Sequence, residues 1–495
     1  MVLTEKKILR LFSGFKQKAE LLFEKGRFDL SLKYWEAATR TAYCFYLDEN
    51  DQQIEKGLQK FAANVKKEKI YPLLSNRCVF YDAHSRDKGA LTQQYIRAIF
   101  ASGWDMLYIT EKSQDDVFFK PILAELKEHA DKVTVHHVPA NLRGMERIQH
   151  IVDCVMGWKC DKLFVHILPW SVTAVAAFNA LPKTIERFYI NHTDHTYCVG
   201  TSCMDFCFEF RQYGCNLSLK KRGVERKKLL LLPYYPIESH QPFHGFPFDR
   251  KGKIVIFSGG SFYKVFDEQD TFIEICKSLL AIDPRIVIAY AGFGSDRAFR
   301  EAIEKKGISD RVFLLGVRKD ISALYDNVDF YLNTYPIGGA LMCLFAAMHG
   351  VPLLAYHNDK KTRMEEVVCQ TRQMEISSMS IDELCGKAKE LITDEKKRKA
   401  YSDALMSCCI SSDQFNKAFL DAVNTKSTPF PIQIDDDFNY IPFDRIAKIE
   451  LENKRKGYHR EIVKCLGMRN ALTRYPSFVF DSIVDYLKIR IVKKR

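Results

Sequence analysis

The sequence predicts an α/β protein made of two tandem doubly wound domains with helical additions at both ends. Three observations carry that expectation. Two successive sets of short β-rich runs alternate with helical stretches, the pattern that right-handed crossovers leave in a parallel sheet. A turn-rich linker, 236–253, separates the two sets. The 495 residues suffice for two to four domains, and 47% apolar with 27% charged residues is ordinary globular usage, which excludes a disordered, collagen-like or disulfide-scaffold chain.

Residues 1–70 read as a helical region. Ala19, Leu22, Phe23, Gly26, Phe28, Leu32, Trp35 and Ala38 are spaced like one helical hairpin of the tetratricopeptide kind, with Gly26 at the turn. A single hairpin has no copies of itself to stack on. The spacing therefore predicts a cap packed on the next domain, with partner docking as the alternative.

The first α/β domain is expected over 71–245. Its strands are read at 78–81, 106–109, 133–136, 163–167 and 187–190, with helices at 92–101, 117–129 and 144–155. The second is expected over 250–428. Its strands are read at 254–258, 285–290, 312–315, 330–332 and 352–356, with helices at 269–281, 298–306, 321–327 and 341–349. The stretch 425–439, with Asp435, Asp436 and Asp437, reads as a linker into a final basic helical segment over 429–495. Two such sheets in tandem place a cleft between two sets of strand C-terminal ends, where ligands bind.

Two segments point to an anion at that cleft. The second domain's first strand runs into Ser258, Gly259, Gly260 and Ser261, with Lys264 three residues on. Glycines after a first strand let backbone amides approach an oxyanion, and Lys264 adds a point charge suited to a diphosphate. The pattern lacks the full GxGxxG, which disfavours a nicotinamide dinucleotide. Further on, Asn333-Thr-Tyr-Pro336-Ile-Gly338-Gly339 ends a strand and opens a helix at once. Such a helix start carries about half a positive charge and free N–H groups, well matched to a pyrophosphate.

These segments, from Leu324 through Gly339 and again from Ala346 to Leu354, resemble the donor domain of glycosyltransferases with the two-Rossmann GT-B fold. The likeness is nearest to the O-GlcNAc-transferase-like and bacterial branch, and covers about residues 76–425. It implies a transferase that moves a sugar from a nucleoside-diphosphate donor, UDP-sugar first, to a glycan, lipid-linked or protein acceptor, with no cofactor and no metal. It implies that Gly316 and Arg318 lie beside the nucleotide base and that Arg363 lies near the diphosphate. Asn191 to His195, then Gly200, Asp205 and Arg211, resemble an acceptor-side loop. Within it Asp194 and His192 are the preferred general bases, and His195 completes the cluster; capping of a turn is the alternative. His166, His357, His136 and His137 are expected to be satisfied core or loop histidines.

Two departures from the family stand out. Positions 337 and 345, where many retaining enzymes carry glutamates, are Ile337 and Phe345. The threonines expected after Gly-Gly are Ala340 and Leu341. Diphosphate binding is then expected to lean on backbone amides, Ser261, Lys264 and Arg363. Two other readings keep the fold: a nucleotide-sugar epimerase, or a non-catalytic subunit that assists a partner transferase.

Composition bounds the setting. Fifteen cysteines, an odd number at irregular spacing, predict reduced thiols, and Cys198, Cys203, Cys207 and Cys215 contain no CxxC pair that would mark zinc. The net charge is +12, but 454–495 holds twelve Lys or Arg against three Asp or Glu, so the rest of the chain carries only +3. That asymmetry is not the footprint of a nucleic-acid binder. No stretch reaches the length of a membrane span, and the first ten residues lack a secretory pattern, so a cytoplasmic protein is expected. Phe478, Val479, Phe480, Ile483, Val484, Leu487, Ile491 and Val492 form an apolar stripe beside Lys and Arg. It suits either peripheral contact with the inner face of a membrane or packing on the first domain.

Overall fold

The computed structural model describes residues 3–66, 72–86, 91–191, 194–357, 364–438 and 448–492. The first sheet contains β1 (Leu74–Asp82), β2 (Asp105–Thr110), β3 (Val133–His137), β4 (Cys160–His166), β5 (Glu186–Ile190), β6 (Phe206–Glu209) and β7 (Leu229–Leu231). Their order is β3-β2-β1-β4-β5-β6-β7, and every pairing is parallel. The second contains β8 (Ile254–Gly259), β9 (Ile286–Ala291), β10 (Val312–Gly316), β11 (Phe330–Leu332), β12 (Leu353–Tyr356) and β13 (Ser377–Ser378), in the order β10-β9-β8-β11-β12-β13, again all parallel.

Both sheets are covered on both faces, which is why their strands read as near-continuous apolar runs. In β1, Val79 and Tyr81 enter one core while Cys78 and Phe80 enter the other, as a period of two requires. In β8, Ile256 is set against Val255 and Phe257 in the same way.

Three strands escape the sequence pattern, and so do five helices of the two α/β domains: Val172–Ala180, Gln212–Lys220, Ile381–Thr393, Glu395–Cys408 and Ser412–Thr425. β6 is only four residues and ends on Glu209; β7 lies inside the apolar run that precedes the linker; β13 is two serines. Such short, partly polar strands exist because a neighbour pairs with them. The helices Val172–Ala180 and Gln212–Lys220 lack a clear amphipathic period, the first being apolar nearly all round. The expected helix at 117–129 is shorter, Lys120–Lys127, and has a proline in its first turn.

The chain crosses back before the expected boundary at 428. Helix Ser412–Thr425, opened by a capping box between Ser411 and Gln414, packs on the first sheet. Its Phe419 ring lies 5.1 Å from that of Phe164 and 5.8 Å from that of Phe208. Residues 426–438 then run along helix Gln212–Lys220. Gln212 Nε2 donates to the Pro431 carbonyl at 2.9 Å, and Asn216 Nδ2 to that of Gln433 at 3.0 Å.

The two terminal additions form one helical layer. Helices Glu5–Glu24 and Phe28–Phe45 make the expected hairpin, with Gly26 at φ +67° in its turn. Helix Lys448–Leu466, from the far end of the chain, completes its packing: Tyr458 and Thr41 share a hydrogen bond of 2.8 Å, and the Tyr458 and Phe45 rings meet edge-on at 4.8 Å. Over the described residues 3–66 this region lies on the first domain, where the Met145 N–H donates to Asp29 at 2.9 Å, as the cap reading expects. The C-terminal stripe is split. Phe478 and Val479 are core, whereas Phe480 is 68% and Ile483 51% exposed. Among the described residues no helix is long and apolar enough to cross a membrane.

Candidate functional site

At the C-terminal ends of the second sheet, two glycine loops meet. The Ile337 N–H donates to the Lys264 carbonyl at 3.2 Å, and Lys264 Nζ lies 3.5 Å from the Gly338 carbonyl. The sequence-predicted residues Ser258, Gly259, Gly260, Ser261, Lys264, Pro336, Gly338 and Gly339 are thus brought together. The approach is tight: a Cβ on Gly338 would stand 2.8 Å from Asn333 Nδ2 and 2.9 Å from Met364 Cβ. Gly260 sits at φ +153°, where L side chains are strained.

Three amides of this first loop are already engaged. The N–H of Gly260 donates to the Ala291 carbonyl, that of Phe262 to Phe293, and that of Lys264 to Ser261. The Ser258 hydroxyl is fully buried and has no hydrogen-bond partner among the described residues. Helix Ala340–Met348 begins at Gly339 with no side-chain cap, and the Cys343 N–H to Gly339 carbonyl bond is 3.1 Å. The amides of Ala340, Leu341 and Met342 precede that first intrahelical bond. Lys264 adds its ammonium at the same end.

Asn333 organises this helix start. Its Oδ1 accepts from the Thr334 N–H at 3.0 Å and from the Gly339 N–H at 2.8 Å, while its Nδ2 donates to Glu365 at 3.2 Å. Ser377 holds the other Glu365 oxygen. The next residue, Glu366, accepts from Arg211 Nη1 of the first domain at 3.3 Å. Neither Glu365 nor Glu366 was legible as a site residue, because an acid after a strand reveals no partner in sequence.

Arg211 continues the chain of contacts into the first domain. It is wholly buried, and its guanidinium forks onto both oxygens of Asp194, the Nη2 bond being 3.1 Å. His195 Nδ1 lies 3.1 Å from Asp194 Oδ1. Burial alone would raise the Asp194 pKa, but the Arg211 charge and the bonds from His195 and Arg211 outweigh it and hold the carboxyl well below its usual range. A carboxylate so stabilised is a poor base. Among the described members of the expected cluster, Asp194 is wholly buried, whereas the His195 side chain is 24% exposed. His192 and Arg363 lie outside the described residues.

The loop carrying this pair is braced by the N-terminal helices. Glu55, 2% exposed, accepts from the Gly200 N–H at 2.8 Å and the Ser202 N–H at 2.9 Å. Buried Arg222 donates to the Thr196 carbonyl at 2.7 Å. A second polar cluster, not anticipated, sits at the ends of β1, β2 and β4. Asp82 accepts from the Tyr108 hydroxyl at 2.6 Å and lies 3.1 Å from His166 Nδ1, and the His84 and His166 rings stack at 4.4 Å.

Gly316 ends β10 as expected, but Arg318 is spent inside the fold. Its side chain is 7% exposed, donates to Asp320 Oδ1 at 2.7 Å and to the Gly245 carbonyl at 2.8 Å, and so fastens the linker to the second domain. The exposed groups there are Val317, at 68%, and Phe293, at 63%, on strand ends joined by the Gly292 N–H to Gly316 carbonyl bond of 2.9 Å.

No protein-family profile and no curated protein sequence matches the chain. Solved structures do. A mutant of Thermobaculum terrenum O-GlcNAc transferase is 15% identical with a TM-score of 0.51, over 84% of this chain and 80% of that one. Anabaena HepE in complex with UDP and glucose is 14% identical with a TM-score of 0.51, over 70% of this chain and 99% of that one. The lipopolysaccharide outer core galactosyltransferase WaaB is 15% identical with a TM-score of 0.53, over 71% and 99%. The chain has the two-domain GT-B fold of these glycosyltransferases, extended by its helical layer.

Proposed function

We propose that the chain is a glycosyltransferase that moves a sugar from a UDP-sugar to an acceptor hydroxyl in the cleft. One observation carries this reading: two glycine loops and Lys264 converge on an uncapped helix start, and Asn333, Glu365, Glu366, Arg211 and Asp194 link that start to His195. UDP in the HepE structures supports the donor class. In this reading the helix N-terminus and Lys264 offset charge growing on the departing diphosphate. His195, its ring oriented by Asp194, takes the acceptor's proton. Val317 and Phe293 offer apolar surface to the base.

Purified protein incubated with a panel of nucleotide sugars tests this. Release of free nucleoside diphosphate with one sugar, enhanced by an acceptor, is the expected result. Interconversion of the sugar without release identifies an epimerase. Absence of both, with no UDP binding by calorimetry, overturns the proposal.

A further inference from the structure

Away from the glycine loops, three metal-type ligands converge on the edge of the first sheet. His136 lies on β3, the outermost strand, and His150 and Cys154 lie one turn apart on helix Gly144–Trp158. His136 Nε2 is 2.8 Å from His150 Nε2, and Cys154 Sγ is 3.4 Å and 3.6 Å from those two nitrogens. Among the described residues this is the only group of three His, Cys, Asp or Glu side chains whose ligand atoms close to within 4.8 Å.

We propose that His136, His150 and Cys154 form a zinc site that ties strand β3 to helix Gly144–Trp158. Tetrahedral zinc, with Zn–N of about 2.0–2.1 Å and Zn–S of about 2.3 Å, sets N···N edges of about 3.3 Å and N···S edges of about 3.6 Å. The sulfur already stands near those distances. The two nitrogens need to part by only about half an ångström, within reach of a small side-chain rotation. One soft thiolate with two imidazoles is a donor set that suits zinc over magnesium or calcium. All three residues are half-buried, so an ion can enter from solvent. Neighbouring polar groups are otherwise engaged: Asp153 accepts from Gln149 at 2.6 Å, and His137 Nδ1 meets the Lys112 carbonyl at 2.7 Å. The fourth position is then left to water or an added donor.

Zinc binds cysteine as the thiolate, so the Cys154 proton is displaced, one H⁺ leaving to solvent for each ion bound. The tie acts on an edge strand, where an unpaired row of backbone groups invites foreign pairing.

Full-length protein stripped by chelator and titrated with Zn²⁺ and Co²⁺ tests the proposal. The expected result is about one equivalent bound, with a thiolate-to-cobalt charge-transfer band that disappears in Cys154→Ser, and loss of stoichiometric zinc in His150→Ala. X-ray absorption at the zinc edge of the unmutated protein needs no variant to fold, and should show a mixed shell of nitrogen with one sulfur. Substoichiometric zinc, a cobalt band that survives Cys154→Ser, or a shell without sulfur overturns the assignment.

Discussion

At the strand ends of the first sheet the chain places charged side chains, packed and paired: Asp194 on Arg211, Asp82 on His166, and Glu209 accepting from Asn191 at 2.8 Å. At the strand ends of the second it places glycines, an uncapped helix start and one ammonium. The two halves share an architecture, and in the proposed function they divide the chemistry. A diphosphate is the same in every nucleotide sugar, and backbone amides recognise it without a tailored side chain. An acceptor hydroxyl needs a base in one orientation, which takes an ion-paired carboxylate and a braced loop to hold. Fixing charges in a buried loop also costs desolvation, offset here only while each pair stays whole.

The sharpest way to break that division is His195→Ala. Turnover is expected to fall about 10²- to 10⁴-fold while UDP affinity by calorimetry stays unchanged. Equal loss of both would show that the first half also binds the donor.

Arg211→Ala comes next. It strands a buried carboxylate and should destabilise the protein by roughly 3–5 kcal/mol in urea unfolding. Lys264→Ala should do the reverse, leaving the urea midpoint in place while weakening UDP binding by about 1–3 kcal/mol. A pair of variants that fail alike, both in stability or both in binding, removes the contrast.

Acid sharpens the comparison further. The Asp194 pKa is depressed in the folded protein, so the unfolded chain binds the extra proton first. The stability it contributes is full above the unfolded carboxylate pKa of about 3.9 and is lost as pH falls toward the lower folded value. Unfolding measured from neutrality down to that range should lose slope in Asp194→Asn. An identical pH profile would mean that the ion pair does not stabilise the first half.

The smallest effect concerns the C-terminal helix. Among the described side chains of the stripe, Phe478 and Val479 are committed to the core, while Phe480, Ile483 and the neighbouring Tyr486 are exposed; those of Leu487, Ile491 and Val492 lie outside the described side chains. Flotation with anionic liposomes at low salt should therefore leave most full-length protein at the bottom. Robust flotation, abolished by Phe480→Asp with Ile483→Asp, would restore the membrane reading.

What the sequence made legible follows from local physics. β1, β8 and β9 announce themselves because strands buried on both faces must be apolar throughout, and the glycine loops because tight backbone approach admits no other residue. Asp194 and His195 were visible as a polar cluster, but their roles were not. Arg211 lies seventeen residues from Asp194 and Glu366 a further 155 from Arg211, so only the fold reveals which carboxylate is held charged. The pairing of Arg318 with Asp320 and the Gly245 carbonyl was hidden for the same reason. His136, His150 and Cys154 were hidden by spacing: β3 and the following helix bring together residues that match no short ligand motif.

The return of the chain at residues 409–411 means that the two sheets are joined twice, once there and once through the linker that Arg318 fastens by way of Gly245. A body hung at two points cannot swivel freely. Any opening of the cleft is confined to rotation about the line through both crossings, as a door turns on two hinges. The Arg211–Glu366 bond, at 3.3 Å, is a further contact that such a rotation would have to break.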